Sequence, residues 1–148
     1  MHKLSVVPVF GFLVLLTALM TACGSTASSS QPPHISYGQT TSTMGMIIED
    51  PRFAGAIVDR DGKSTLFDDI GDLVAAAKQN PSSAAHIWVH DYQTKAWING
   101  STASYVASGD LMTMTPMGSG LAAFSSRDKA TTFLHDHHGT VMTWSDVL

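Results

Sequence analysis

Residues 54–78 read AGAIVDRDGKSTLFDDIGDLVAAAK, and this stretch decides the fold. Ala54 to Asp59 is a short apolar run closed by an acid, Asp61-Gly62 is a turn pair, and Ser64 to Phe67 leads back. The pattern predicts two antiparallel strands joined by a tight hairpin. Asp68 or Asp69 then stands where a helix cap is wanted, ahead of Ile70, Leu73, Val74 and Ala77 on one helical face. The helix is expected to reach about Lys78, because Asn80-Pro81 cannot continue it. Ile87 to Asp91 follows as a third strand, giving a β-β-α-β unit.

The same order recurs toward the C-terminus. Lys95 to Ile98 is expected to open a second unit, with Ala103 to Val106 as a further short strand and Gly120 to Phe124 as its neighbour. Ser125 or Ser126 caps a helix from Asp128 to about His135, whose buried face is Ala130, Phe133 and Leu134. Gly139 closes that helix, and Val141 to Trp144 is the last strand. Phe67 and Phe124 occupy matching places, as do Asp68-Asp69 and Ser125-Ser126. The expected fold is a small α+β domain made of two pseudo-repeated β-β-α-β units.

Toward the N-terminus the chain changes character. Lys3 precedes an apolar stretch from Val6 to Leu16, and small residues lead to Cys23, which is the chain's single cysteine. Leu19-Met20-Thr21-Ala22-Cys23 resembles a bacterial lipoprotein cleavage box, in which the cysteine becomes the lipidated first residue. The other reading is an uncleaved membrane anchor near the lower length limit for a spanning helix. Gly24 to Thr43 is rich in serine, threonine and glycine and reads as a flexible tether, with His34 and Tyr37 solvated. The expected organisation is a signal over 1–22, a lipidated tether over 23–43 and a folded domain over 44–148. Such a protein would sit outside the cytoplasm, held to a bacterial membrane by its lipid.

The folded part has no thiol and cannot form a disulfide, so an apolar core must hold it. The whole chain is mildly acidic, with a formal net charge of -4. It has no run of Lys or Arg, which argues against nucleic acid as a partner.

The methionines carry the functional signal. Met44 and Met46 flank Gly45, and Met112, Met114 and Met117 lie among Thr113, Thr115, Pro116 and Gly118. Core methionines keep company with Leu, Ile and Phe, as Met142 does beside Val141. These five keep company with loop formers. Thioethers are soft ligands that select copper(I), and they stay usable where thiols oxidise. Two or three of them on loops can close around a linear or trigonal ion. Met44 and Met117 are the first candidates, with Met46, Met112 and Met114 as further donors. A second reading makes the same methionines an adaptable docking surface for a protein partner.

Several stretches together resemble the NosL family, lipoprotein copper(I) chaperones linked to nitrous oxide reductase. They are Met44-Gly45-Met46, Trp88-Val89-His90-Asp91-Tyr92, Trp97-Ile98, Tyr105-Val106 and Thr115-Pro116-Met117-Gly118-Ser119-Gly120 through Phe124. The resemblance implies two related β-β-α-β halves and a copper(I) site using the cysteine of a C-G-M motif and the methionine of P-M-G. Met117 matches that methionine. Met44 stands where the family cysteine would be, so a thiolate becomes a neutral thioether, and the site loses a negative charge. The resemblance also implies a cuproenzyme as the partner.

His135-Asp136-His137-His138 offers a minority reading as a copper(II) or zinc site on His135 and His138, against a solvated helix end. His86 and His90 are expected to be structural or exposed. No catalytic constellation is legible: Ser119 has no spaced histidine, and Asp68-Asp69 are adjacent residues at a cap. The chain is not expected to be an enzyme.

Overall fold

The computed structural model describes residues 30–148. The leader and Cys23 lie outside the described residues. Among the described residues no helix is long and apolar enough to cross a membrane.

The first unit consists of β1 (Gly55–Asp59), β2 (Ser64–Phe67), α1 (Ile70–Gln79) and β3 (Ala84–His90). The run Gly55-Ala56-Ile57-Val58 is buried because β1 is central, with β2 and β3 antiparallel on either side. Asp59 fixes the hairpin, its Oδ1 accepting from the N–H groups of Asp61 and Lys63 at 2.9 Å each. Asp69 caps α1, which lays Ile70, Leu73, Val74 and Ala77 into the core. The second unit is β5 (Ser104–Ala107), β6 (Leu121–Phe124), α2 (Arg127–Phe133) and β7 (Thr140–Met142). Again the first strand is central, in the order β6-β5-β7, and all pairing is antiparallel. Ser126 caps α2 by accepting from Lys129 N–H. The expected α+β architecture with two β-β-α-β halves is therefore present.

Three segments differ from expectation. The strand expected over Lys95–Ile98 is β4 (Trp97–Asn99), and it does not open the second unit. It pairs with β3, Trp88 opposite Asn99 and His90 opposite Trp97, and becomes the edge of the first sheet. Trp144 belongs to a short helix, α3 (Trp144–Val147), begun by a reciprocal Thr143–Asp146 capping box. The third difference lies in the expected tether. Ile35 is 5 % exposed and packs with Ile48 and Ala54, while Gly38 N–H donates to Ile48 O and Ile48 N–H to Thr40 O. Burying one isoleucine contributes about 1.5–3 kcal/mol, and the backbone hydrogen bonds add to it in offsetting the cost of ordering the segment. Tyr37 is likewise engaged, its hydroxyl 2.8 Å from His90 Nε2.

The main core joins the two units: Ile57, Ile70, Leu73 and Val89 from the first meet Tyr105 and Ala123 from the second. Asp91, just past β3, pins the halves together. Its Oδ1 accepts from Gln93 and Thr94, and its Oδ2 from Ser125 N–H at 2.8 Å and Lys129 Nζ at 3.4 Å. Burial works against its charge. The hydrogen bonds from Ser125 and Thr94 outweigh that and hold its pKa well below the carboxylate range.

Candidate metal centre

Two loops carry the five candidate methionines. The first is a small hairpin tip. Thr41 bridges Ile47, Ser42 N–H donates to Met46 O, and Gly45 N–H donates to Ser42 O. Gly45 has φ +85°, a left-handed conformation that glycine adopts without strain, so the tip projects Met44 and Met46 on its two sides. Thr43 N–H donates to Leu66 O and anchors the tip to β2.

The second loop runs from Ser108 to Gly120. Leu111 is buried and acts as its foot, and the N–H groups of Met114 and Thr115 both donate to Leu111 O. Thr115 is buried, and its Oγ1 accepts from Gly120 N–H. The loop leans on the first turn of α1. A Cβ on Gly71 would lie 2.5 Å from Ser119 Cβ, so only glycine lets the two surfaces approach this closely. Asp69 fastens the contact. It is fully buried, its Oδ1 accepting from Gly71 N–H at 2.7 Å and its Oδ2 from Met117 N–H at 2.9 Å. A single carboxylate thus caps the helix and holds the backbone of Met117.

The loops meet over a groove of about 610 Å³, lined by Gly45, Met46, Ile47, Glu49, Asp50, Asp68, Met114 and Pro116. The structure brings Met46 and Met114 to this common groove. Met44 lines a separate hollow with Phe67, Asp72 and Ala76. Met117 is held at the helix cap, and Met112 lies toward Gly120 at the start of β6. All five are 45–61 % exposed, so none serves as core filler. Among the described residues there is no group of three or more His, Cys, Asp or Glu placed to hold a metal.

The family model of NosL matches residues 32–148. The chain belongs to the NosL family. The match begins where the packed body begins, upstream of Ile35 rather than at Met44. One solved structure with the same fold is that of the copper chaperone NosL from Shewanella denitrificans. It is 18 % identical, with a TM-score of 0.65 over 78 % of this chain and 94 % of that one. No curated protein matches this sequence.

Sequence reasoning took the carboxylates of this NosL-family chain for cap residues alone. Three of them ring the α1 terminus. Asp68 is 2 % exposed, and neither of its oxygens has a hydrogen-bond partner; Asp72 Oδ2 is buried in the same condition. Burial raises the Asp72 pKa, and the charges of Asp69 and Asp68 raise it further. The adjacent pair Asp68-Asp69 was the available signal, but a sequence does not show which oxygens a cap leaves bare.

The histidines fall elsewhere. His137 stacks on Phe133 with ring centres 3.9 Å apart, and its Nδ1 lies 2.9 Å from Phe133 O. His138 is fully exposed, its Nδ1 3.7 Å from Asp110. His90 is buried and structural. Its Nδ1 faces Ala54 O at 3.2 Å, so that nitrogen carries the proton, and Nε2 accepts from Tyr37. Burial holds its pKa below the ordinary histidine value, and burial also pushes the Tyr37 hydroxyl up to about 12.

Proposed function

We propose that this protein is a membrane-tethered, extracytoplasmic copper(I) carrier that delivers or stores copper for a cuproenzyme. Family membership and the fold shared with a NosL copper chaperone support copper as the cargo. The observation that carries the methionine assignment is that both loops reach one open groove, with Met46 and Met114 on its walls. Met44 lies along α1 beside Asp72 and Ala76, and Met117 is tied through its backbone to the α1 cap. Neutral thioethers bind soft monovalent copper without losing a proton, and their exposure leaves the ion open to a stronger donor on a partner. Transfer is then ligand exchange through a shared intermediate. The resemblance of 19–23 to a lipoprotein box supports lipidation at Cys23, and the family supports nitrous oxide reductase as the enzyme served. The test is metal analysis of the full chain after anaerobic exposure to copper(I). Near-stoichiometric copper, lost when Met44, Met46, Met114 and Met117 are all replaced by Ala, is the expected result. A protein that takes up no copper overturns the proposal and leaves the methionine surface as a docking face.

A further inference from the structure

Asp68 lines the groove between the methionine loops, and its carboxylate is buried with no hydrogen-bond partner on either oxygen. Unpaired buried carboxylates are rare because desolvation disfavours the charge unless a cation or donor compensates it. Among the described residues Asp68 has no ion-pair partner. Asp69 spends both oxygens on Gly71 and Met117. Asp50, another acid on the groove wall, is paired with Arg52 at 2.6–3.0 Å. The remaining acid on the wall, Glu49, is exposed. Asp68 is therefore a buried carboxylate without a hydrogen-bond partner at the groove between the two thioether-bearing loops.

We infer that Asp68 supplies the anionic oxygen donor to a copper(I) ion held between Met46 and Met114. This rests on the copper reading above and adds to it a ligand of a different class. Two thioethers and one carboxylate make a three-coordinate set whose single negative charge neutralises the monovalent ion. That is the charge a site built from methionine alone lacks. Softness still selects the metal, because one hard oxygen cannot replace the hydration shell of a hard cation.

The experiment uses the full chain, with copper(I) affinity measured anaerobically against a chromophoric copper(I) chelator and with copper K-edge X-ray absorption of the loaded protein. Asp68→Asn is expected to weaken copper(I) binding about 10- to 100-fold. In the wild type the absorption fine structure is expected to contain one oxygen scatterer beside sulfur, absent in the variant. If the wild type binds copper and Asp68→Asn binds it equally, or the wild-type ion has sulfur neighbours alone, the inference is wrong and the copper reading stands. If the wild type binds no copper(I), the copper reading fails first. The X-ray absorption of the wild type decides the matter even if Asp68→Asn does not fold.

Discussion

Replacing Asp69 separates the two tasks that its side chain performs. In Asp69→Ala the cap on Gly71 N–H is lost, which costs about 1 kcal/mol. The bond from Met117 N–H is lost as well, a hydrogen bond to a charged acceptor worth about 1.5–3 kcal/mol. Some of this is offset because Asp72 loses a like charge that helps raise its pKa. Asp72 is partly exposed, so that relief is below about 0.5 kcal/mol. The expected loss is about 2–3.5 kcal/mol, or a fall in Tm of about 10 °C for a domain of this size. Asp69→Ser keeps a capping oxygen but is too short to span to Met117, so it should recover about 1 kcal/mol of the loss. Urea unfolding followed by tryptophan fluorescence measures both. Copper(I) affinity should fall in both variants by a similar factor, since the loop bearing Met114 and Met117 is loosened in each. Should Asp69→Ala unfold within 0.5 kcal/mol of wild type, or should Ser restore full stability, the carboxylate does not bridge helix and loop and the reasoning fails.

Three further outcomes are expected. Gly71→Ala places a Cβ 2.5 Å from Ser119 Cβ, and relieving that overlap should cost about 1–3 kcal/mol in denaturant unfolding, where a well-tolerated helix alanine would have raised stability. His90 is held neutral by burial, with a folded pKa below its unfolded value near 6.5. The unfolded chain therefore binds the extra proton first, so this contribution is complete above about pH 6.5 and declines as pH falls toward the folded pKa. Unfolding free energies measured across that interval should show the slope, and His90→Phe should lack it. Met114→Ala removes an exposed side chain that lines the groove, so thermal melting should stay within about 0.5 kcal/mol of wild type while copper(I) affinity, read by chelator competition, drops at least about tenfold.

The parts of the fold that were legible are those written in local signals. The Asp61-Gly62 turn, the Asp69 cap, the Asn80-Pro81 stop and the Ser126 cap each act within a few residues, and each element stands close to its expected bounds. The parts misread depend on partners distant in sequence. Lys95 to Ile98 looks like the start of a second unit because it follows the first, yet Trp97 pairs back with His90 through a turn in which Lys95 takes φ +59°. Pro32 to Thr43 looks like a tether because its composition is polar, yet buried Ile35, the Tyr37–His90 contact and backbone hydrogen bonds to Ile48 and Leu66 hold it on the domain. The Thr143–Asp146 capping box was written in the sequence, but Val141 and Trp144 drew the segment into a strand reading. For the site, loop-forming neighbours identified the exposed methionines. They did not reveal that Met46 and Met114, rather than Met44 and Met117, share the central groove.

The position of the acids completes the physical picture. A helix N-terminus carries about half a positive charge, and one capping carboxylate answers it. Asp69 does this for α1, so Asp68 and Asp72 exceed what the dipole can balance. Among the described residues neither forms an ion pair, whereas Asp50 and Asp91 each do. Of these two, Asp68 lines the groove where the methionine loops converge, and Asp72 lines the hollow beside Met44. Thioethers provide discrimination by softness but little electrostatic attraction, and carboxylates provide attraction without discrimination. On the copper reading proposed above, a buried carboxylate set behind exposed thioethers would draw a cation in, retain the soft monovalent one and keep the sulfur side open. Placed on loops at the rim rather than inside the core that joins the halves, these groups leave the ion within reach of an incoming donor while the fold beneath need not open.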